Sequence, residues 1–407
     1  MNCRHCESKL KHTFLNLGFA PPSNAYLTKD DLSKPEKYYP LKIKVCNQCW
    51  LVQTEDYAQV DELFSNEYAY FSSTSSTWLD HAKLYSQKII EMLKLNSESH
   101  VVEVASNDGY LLKNFLKVGI PCLGIEPTDS TANASENLGI PVLRKFFSEN
   151  LAKKLSYEGK QADLIVGNNV YAHVPDINDF TKGLKALLKP DGTITLEFPH
   201  LMQLIRNIQF DTIYHEHFSY LSLYSVSRIF QFCGLRIFDV EELKTHGGSL
   251  RIYGCHQEDR RIKTARVGRI LMQEKEQGMQ EIETYTTFKQ KANRVKNNVL
   301  EFLIEQDKLG RKVVAYGAAA KGNTLLNYAG VKPDLLSFVS DAAESKQGKY
   351  MPGSHIPILS PEAILEAKPD FVLILPWNIA DEVKQKNCKI YEWGGQFVTT
   401  VPDLKFK

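Results

Sequence analysis

The segment Tyr214–Tyr220, YHEHFSY, places two histidines and a glutamate between tyrosines. Imidazole and carboxylate groups at this density suit either proton transfer or metal binding. A helical metalloprotease motif is excluded, because it needs histidines four residues apart and Ser219 follows His215 at that spacing. In an extended conformation His215 and His217 can both reach one ion, but the neighbouring sequence offers no further ligand cluster. Acid–base chemistry, metal binding and a polar loop without chemistry remain three hypotheses.

A second chemical feature is a set of paired cysteines, Cys3-x-x-Cys6 and Cys46-x-x-Cys49, among the 8 cysteines of the chain. Two such pairs are typical of a tetrahedral site in which four thiolates hold a structural Zn²⁺. Residues 7–45 separate the pairs, which exceeds the usual ribbon spacing, so we expect a folded insertion between them. A thioredoxin-like centre needs only one pair, at a strand-to-helix junction. We predict a structural zinc site, with free reduced thiols as the alternative.

The turn after the first predicted strand of the central region reads EVASNDGYLL, from Glu103 to Leu112. A dinucleotide-binding fingerprint needs three glycines, and here only Gly109 is present, so pyrophosphate binding is not expected. Acidic Glu103 and Asp108 instead suit the cationic methionine end of S-adenosylmethionine. We therefore predict a cofactor site that includes Glu103, Ser106, Asn107, Asp108, Gly109 and Tyr110.

Polar residues also follow the later strands of this region, where ligands bind in doubly wound sheets. Glu126, before Pro127 in GIEP, lies about twenty residues after the first turn, as ribose recognition requires. In GNNVYAHVPD (167–176), Asn168 and Asn169 are expected beside the adenine and methionine parts of the cofactor. His173 lies just beyond them, and either a functional role or a loop role fits it.

A Gly/Ala-rich turn, GAAAKGNT, follows a buried strand near residue 316. It is not a Walker A loop, because Lys321 is followed by Gly and Asn and not by Ser or Thr. Amides at the start of the following helix would suit a nucleotide diphosphate. The alternative is a degenerate unit kept for packing. The predicted substrate-binding residues are Gly317, Lys321, Gly322, Asn323, Thr324 and, at the ribose position after the next strand, Asp341.

These residues require an α/β scaffold, and the hydrophobic pattern supplies one. Seven apolar runs between residues 100 and 255 alternate with helix-like segments, which predicts a mostly parallel sheet covered on both faces. The last two runs (235–243 and 249–255) are expected to form an antiparallel edge. Residues 259–310 predict one or two amphipathic helices that form a solvated scaffold, with an apolar stripe such as Val295 and Val299. A second, smaller α/β unit follows.

Composition excludes several classes of protein. The chain has 407 residues, 43% hydrophobic and 24% charged, with a formal net charge of +1. This balance gives no broad footprint for nucleic acid or membrane, and the chain has no apolar run of membrane-spanning length. The first residues lack the apolar core of a signal peptide, so we expect a cytoplasmic protein, either a monomer or a small homo-oligomer.

The motifs together resemble a known family, the bacterial sugar-nucleotide C-methyltransferases. The shared motifs, in the same order, are CRHC…CNQC, EYAYFSSTSSTW, EVASNDGYLL, GIEP, NNVYAHVPD, EFPH, YHEHFSYLSL and AYGAAAKGNTLLNY. The resemblance covers nearly the whole chain. It implies a zinc-binding domain (1–66), a central S-adenosylmethionine-dependent methyltransferase domain with a Rossmann-like, seven-stranded sheet (67–257), and a helical linker with a C-terminal Rossmann-like domain that binds the sugar nucleotide (258–407).

The resemblance also implies a reaction and roles for individual residues. Members of the family methylate a carbon, typically C3, of a dTDP-linked 4-keto-deoxyhexose to make branched sugars. Such a carbon must first be deprotonated to an enolate, which needs a base and a donor to the enolate oxygen. The roles implied are His217 as base, Tyr214 as proton relay or oxyanion donor, Glu216 as substrate orienter or pKa tuner, and His173 in catalysis, with Tyr68 or Tyr70 in the cofactor pocket and His215 as a substrate or loop residue.

Two alternatives belong to other classes. An NAD-dependent sugar-nucleotide oxidoreductase would use the VVAYGAAAKG turn, although the third glycine of its fingerprint is missing. A non-catalytic zinc-ribbon interaction protein would require a degenerate methyltransferase scaffold. The sequence leaves open which 4-keto sugar and nucleotide bind and the stereochemistry of methylation.

Overall fold

Three β-sheets organise the protein in the computed structural model, which describes residues 1–55 and 71–406. Tyr68 and Tyr70, two predicted cofactor residues, lie outside the described residues. The strands are β1 (His12–Ala20), β2 (Tyr39–Val45), β3 (Val52–Thr54), β4 (Val101–Val104), β5 (Cys122–Ile125), β6 (Val142–Leu143), β7 (Ala162–Asn168), β8 (Leu188–Pro199), β9 (Ser219–Tyr220), β10 (Leu235–Leu243), β11 (Ser249–His256), β12 (Val313–Tyr316), β13 (Val339–Ser340), β14 (Ile358–Leu359), β15 (Phe371–Ile374), β16 (Gln396–Thr399) and β17 (Lys405–Phe406).

The helices cover the two larger sheets and connect the three parts of the chain. They are α1 (Ser76–Leu93), α2 (Leu112–Leu116), α3 (Asp129–Asn137), α4 (Glu149–Tyr157), α5 (Ile177–Leu187), α6 (Leu201–Arg206), α7 (Leu223–Phe232), α8 (Ala265–Glu276), α9 (Ile282–Thr286), α10 (Phe288–Lys308), α11 (Ala320–Ala329), α12 (Glu362–Ala367) and α13 (Ala380–Lys386). Within the two described ranges, no helix is long and apolar enough to span a membrane.

The N-terminal sheet is antiparallel, with strand order β1-β2-β3-β9. Strands β1 and β2 are the insertion expected between the two cysteine pairs. Along β2, alternate residues Leu41, Ile43 and Val45 are buried, as a sheet with one solvent-facing side requires. The fourth strand, β9, comes from the middle of the chain, so this sheet is completed by residues far away in the sequence.

The central sheet has the order β10-β11-β8-β7-β4-β5-β6. Strands β4 to β8 are parallel, while β10 and β11 form the antiparallel edge beside β8, as predicted. Strand β6 is much shorter than the predicted run 140–147. The run was overestimated because residues 145–147 leave the sheet and line the cavity described below. Strand β8 begins at Leu188, before the predicted residue 193.

Helix α5 shows how local sequence positions one wall of the site. Its first turn is capped by Asp176, whose carboxylate accepts a hydrogen bond from the Asp179 N–H over 2.9 Å. The apolar residues Ile177, Phe180 and Leu184 recur at helical spacing and are buried, so this face packs on the central sheet. The cap fixes where the loop carrying His173 ends and the helix begins.

The linker forms three helices, α8, α9 and α10, instead of the one or two predicted. The stripe on α10 is buried and not merely a scaffold in solvent: Val295 and Val299 are fully enclosed. The rings of Phe288 and Phe14 stack with centroids 4.7 Å apart. One hydrophobic core therefore joins the N-terminal sheet, the linker and the C-terminal sheet.

The C-terminal sheet has the order β14-β13-β12-β15-β16-β17, parallel except for β17. Strand β12 runs through the Gly/Ala turn into α11, as the pattern predicted. No helix follows β13 directly: in this part of the described chain, β14 comes next and α12 follows it. The predicted α/β class, with a mostly parallel seven-stranded sheet and a second Rossmann-like unit, is confirmed.

Candidate functional site

A cavity of about 560 Å³ lies where the three parts of the protein meet. Asn24 lines it from the N-terminal part, and residues at the carboxyl ends of β5 and β7 line it from the central sheet. Lys321, at the start of α11, lines it from the C-terminal part. This is where ligands bind in doubly wound folds. The predicted residues along its wall are Asn107, Tyr110, Glu126, Pro127, Asn168, Asn169, His173, Tyr214, Glu216, His217 and Lys321.

The turn after β4 has an unusual backbone. Ala105, Asn107 and Gly109 all have positive φ, at 56°, 50° and 76°. A Cβ at Gly109 would lie 2.6 Å from Ile140 Cδ1 and 2.7 Å from Ser135 Oγ. Glycine is therefore required at this position both by the backbone conformation and by the space available. Backbone strain of this kind is concentrated at ligand sites.

The buried carboxylate of Glu126 holds this turn in place. One of its oxygens accepts a hydrogen bond from the Asn107 N–H (2.9 Å), and the other accepts from the Thr128 N–H (3.0 Å) and hydroxyl. Burial raises the pKa of Glu103, within β4, well above its usual range. Glu103, Ser106, Asp108 and Gly109 are buried in or below the turn and do not line the cavity.

Orphaned polar atoms test whether S-adenosylmethionine fits here. Within the described residues, Oδ1 of Asn168 and Oδ1 of Asn169 are buried without a hydrogen-bond partner, and both residues line the cavity. The amino groups of the cofactor are donors, so acceptors of this kind suit it. The Asn169 amide donates to His246 Nε2 over 3.0 Å, which turns its oxygen away from that histidine. His246 was not predicted, and only its place before β11, in THGGS, offered a signal.

His217 has the geometry of a base. Its Nδ1–H donates to the Thr212 carbonyl over 2.9 Å, so the lone pair is on Nε2. The ring of Tyr214 lies 4.0 Å from that of His217, measured between centroids, and the ring of His173 lies 4.7 Å away. Burial lowers the pKa of His217 well below its usual range and that of His173 to about 4. Both imidazoles are therefore neutral at physiological pH.

Glu216 and His215 face different parts of the protein. Glu216 is buried, and its Oε1 accepts a hydrogen bond from the Asn24 amide over 2.6 Å. Asn24 was not predicted, because a single asparagine in a proline-containing loop carries no distinctive signal. His215 does not line the cavity. Its Nε2–H donates to the Tyr39 carbonyl over 3.3 Å. This placement supports the loop role among the two roles proposed for His215.

Two lysines mark the C-terminal wall. Lys321 Nζ donates to Asn378 Oδ1 over 2.7 Å and lies 4.6 Å from the centroid of the Trp377 ring. Burial lowers the pKa of Lys321 to about 8, so its ammonium is charged at neutral pH. Lys346 also lines the cavity, and its Nζ donates to the Ala318 carbonyl over 2.9 Å. Lys346 and Asn378 were missed, because Lys346 lies in a turn and Asn378 in a short 3-10 helix, neither of which carries a motif.

The other predicted residues of the GAAAKGNT region do not line the cavity. Asn323 donates to the Ser23 carbonyl, and the Thr324 hydroxyl donates to the Ile213 carbonyl over 2.8 Å. Asp341 accepts the Ala318 N–H over 2.7 Å and so holds the turn itself. Gly317 has φ 92°, and Gly322 packs α11 against the sheet. Thr324 thus ties α11 to the segment that precedes Tyr214, and Asn323 ties it to the N-terminal part. These contacts differ from the predicted contact with substrate.

The four paired cysteines form a cluster whose Sγ atoms all lie within 4.8 Å of one another. Cys3 and Cys49 are 3.4 Å apart at sulfur, and Cys6 and Cys46 are 3.5 Å apart. A tetrahedral site with Zn–S bonds of about 2.3 Å has sulfurs about 3.8 Å apart, so these residues fit a Zn²⁺ ion. The cluster does not line the cavity, which assigns it to structure and not to chemistry.

The two cysteine turns have the same backbone design. Glu7 N–H donates to the Cys3 carbonyl and Trp50 N–H donates to the Cys46 carbonyl, each over 3.0 Å. Glu7 and Trp50, which follow Cys6 and Cys49, have nearly equal positive φ, at 60° and 62°. Each pair is thus presented by a tight turn of one shape, as expected for two arms of one metal site.

Comparison with known proteins adds similarities along the whole chain. Three family models match: a zinc binding domain (residues 3–64), a methyltransferase domain (78–240) and a C-methyltransferase C-terminal domain (244–402). The C-methyltransferase NovU of Streptomyces niveus is 34% identical over 402 residues, which are 98% of this chain and 95% of that protein. With the cysteine cluster, these matches confirm the predicted structural zinc and S-adenosylmethionine.

Solved structures show weaker similarity. A chain of the Haloferax volcanii complex between the Trm112 methyltransferase activator and a methyltransferase has a TM-score of 0.39 and 11% identity, and the match covers 47% of this chain and 99% of that one. The YcgJ protein of Bacillus subtilis has a TM-score of 0.36 and 12% identity, over 44% of this chain and 100% of that one.

Proposed function

Because the chain belongs to the family of C-methyltransferases, we propose that it transfers a methyl group from S-adenosylmethionine to C3 of a nucleotide-linked 4-keto-deoxyhexose, with dTDP as the nucleotide. Methylation of carbon sets a chemical requirement that methylation of oxygen or nitrogen does not. A C–H bond must be broken before the new C–C bond forms, so the site needs a base close to the cofactor pocket.

One observation carries the proposal: His217, whose Nε2 has the lone pair, lines the same cavity as the predicted cofactor-binding residues. The hydrogen bond from Nδ1 to Thr212 fixes the tautomer, and burial keeps the ring neutral. A neutral, oriented imidazole is the form that accepts a proton. A carbon beside a ketone is the kind of acid this arrangement can deprotonate, because the adjacent carbonyl takes up the charge.

The proposed reaction proceeds in two steps. His217 Nε2 takes the proton from C3, and the electrons of the broken C–H bond form an enolate with its charge on the O4 oxygen. The bound cofactor supplies an electrophilic methyl group on a sulfonium. The enolate carbon would accept that methyl group, the electron pair of the broken methyl–sulfur bond would remain on sulfur, the ketone would be restored, and protonated His217 would return its proton to solvent.

The neighbours of His217 have supporting roles in this proposal. The phenol of Tyr214, whose ring packs on His217, donates to the enolate oxygen or relays the proton. Glu216, held by Asn24, orients the sugar hydroxyls. His173 packs edge-on against His217 and limits the directions in which that ring can turn. Lys321 and Lys346 offer positive charge to the substrate diphosphate on the opposite wall.

The proposal keeps the predicted division into residues 1–66, 67–257 and 258–407, with the nucleotide sugar held between the second and third parts. The N-terminal part contributes more than a metal site, because Asn24 lines the cavity and β9 completes its sheet. The dehydrogenase and interaction-protein alternatives receive no support from the family matches, which are a zinc binding domain, a methyltransferase domain and a C-methyltransferase C-terminal domain.

The decisive experiment is incubation of the purified protein with a panel of nucleotide-linked 4-keto sugars in deuterated buffer. We expect exchange of the C3 proton for at least one sugar, and methyl transfer to the same carbon when S-adenosylmethionine is added. Methyl transfer to an oxygen would disprove the proposed chemistry. Methyl transfer with neither exchange nor methylation at C3 of any sugar in the panel would disprove it as well.

A further inference from the structure

Arg4 lies inside the first cysteine turn, between Cys3 and Cys6, but it points away from the metal cluster. Its Nη1 donates to the Pro175 carbonyl over 2.6 Å, and its Nη2 donates to the Thr54 carbonyl over 3.3 Å. The guanidinium carbon also lies 5.5 Å from the centroid of the Phe218 ring. A single side chain from the zinc domain thus contacts three separate segments.

Two of these segments carry the two histidines of the site. Pro175 follows His173 by two residues, and Phe218 is next to His217. The third contact, Thr54, is the last residue of β3, and the residue before it, Gln53, is paired with Ser219 of β9. Arg4 therefore contacts the loop that carries His173, the segment that carries His217, and strand β3, which pairs with β9 beside His217.

The cysteine turn fixes the origin of this side chain. The Arg4 N–H donates to Gln53 Oε1 over 3.0 Å, so the backbone is tied to β3. The next residue, His5, exchanges two contacts with Asn178, at the start of α5: ring Nδ1 to Asn178 Oδ1, and the Asn178 amide to the His5 carbonyl, each over 2.8 Å. The turn is therefore attached to β3 at Arg4 and to the start of α5 at His5.

We propose that Arg4 is a positioning residue for His173 and His217, and that the zinc turn sets the geometry of the proton-transfer centre through it. The inference rests on the proposed function of those histidines. Arginine suits the task, because its planar fork can serve two carbonyls and a ring face at once. Without it, the Pro175 and Thr54 carbonyls each lose the hydrogen bond from Arg4, and the His173 loop and the His217 segment lose their common anchor.

The test compares Arg4→Ala and Arg4→Lys with a matched control, Arg236→Ala. Arg236 also donates to two backbone carbonyls, those of Asp259 and Arg261, but on the edge strand β10 away from the cavity. We expect Arg4→Ala to keep its zinc content and its Kd for S-adenosylmethionine. Its kcat should fall about 10- to 100-fold, because small misplacements of catalytic groups have effects of that size, and KM should change less than about twofold. The kcat of Arg4→Lys should lie between those of Arg4→Ala and the wild type, and Arg236→Ala should keep wild-type kcat.

Amide hydrogen exchange supplies a readout that needs no substrate. In Arg4→Ala, peptides spanning 170–178 and 212–220 should exchange faster than in wild type. Faster exchange with no turnover by the wild-type protein on any keto sugar would support the positioning role and reject the proposed function. Unchanged kcat with unchanged exchange would overturn the role of Arg4. Loss of zinc from Arg4→Ala would also overturn it, since Arg4 would then act through the metal site.

Discussion

The imidazole rings of His173 and His217 meet edge to face, with centroids 4.7 Å apart and an angle of 75° between their planes. They come from segments on opposite sides of β8 in the sequence; His217 is buried and His173 is partly buried. At this distance the two rings are not both protonated easily, because a charge on one ring disfavours a charge on the other. The pair is therefore suited to accept one proton during turnover.

Replacement of His217 should abolish methyl transfer. His217→Asn removes the Nε2 base, and the loss of a general base costs about 10²- to 10⁴-fold in kcat. The Kd for S-adenosylmethionine, measured by calorimetry, should stay within about threefold of wild type, since His217 does not belong to the predicted cofactor set. Wild-type turnover in this variant would remove His217 from the role of base.

The acid limb of the pH–rate profile should lie below the usual histidine range. The pKa of His217 is lowered by burial, so the ring stays neutral and active as pH falls through 6.5. We expect kcat/KM to be flat from pH 7.5 to 6.5 and, on the acid side, to fall only at lower pH, when the ring is protonated. Measurement of kcat/KM between pH 4.5 and 8.5 checks this. An acid limb centred between pH 6.5 and 7 would contradict it.

Substrate affinity should weaken above pH 8. Burial lowers the pKa of Lys321 to about 8, so the ammonium is present at pH 7 and is lost as pH rises through that value. The KM for an anionic nucleotide sugar should therefore rise between pH 7.5 and 9. In Lys321→Arg the charge persists, and this rise should be absent. Equal KM profiles in the two proteins would show that Lys321 does not serve the diphosphate.

Removal of one thiolate ligand should destabilise the fold before it alters the chemistry. Cys46→Ser should lower the zinc content. It should also lower the free energy of unfolding by more than about 4 kcal/mol, since loss of a structural metal is among the most destabilising effects of a single mutation. Cys388→Ser is the control, because Cys388 is exposed and lies outside the cluster. A Cys46→Ser protein that is fully folded but inactive would instead indicate a catalytic metal.

Gly109→Ala should weaken both the fold and cofactor binding. The added methyl meets Ile140 and Ser135 in a backbone with φ 76°. Gly159→Ala separates the two causes, because Gly159 has a similar φ of 73° with open space around it. We expect about 1 kcal/mol of destabilisation for Gly159→Ala from the backbone alone, and roughly 1–3 kcal/mol more for Gly109→Ala. Denaturant unfolding and a cofactor titration measure these effects. Equal losses of unfolding free energy in the two variants would show that Ile140 and Ser135 move to accommodate the added methyl group.

Much of the scaffold could be predicted, because local patterns determine it. Continuous apolar runs such as VVEV mark buried parallel strands, and the paired cysteines mark a metal site wherever they lie in the chain. The polar residues predicted at the ends of β5 and β7 line one cavity, because the carboxyl ends of parallel strands converge at one edge of a sheet.

The remainder depends on contacts between distant residues, for which no local pattern exists. The carbonyl partners of Asn323 and Thr324 belong to residues 23 and 213, so their structural task could not be read from GAAAKGNT. Asn24 and Lys346 reach the cavity only because other domains dock around it. The short β6 was overestimated because an apolar run predicts burial, and the aromatic residues 146 and 147 instead line a cavity.

The pairing of β3 with β9 sets an order of events during synthesis of the chain. Thr54 and Phe218, which are hydrogen-bonded beside that pairing, are 164 residues apart. At ribosomal speeds of 5–20 residues per second, the first sheet to be made waits roughly 10 to 30 seconds for its last strand. During that interval the open edge of β3 can pair with other chains, as unprotected edges do. The nascent chain is thus most prone to aggregate before the segment that carries His217 has left the ribosome. Arrival of that segment both protects the edge of β3 and completes the wall of the cavity.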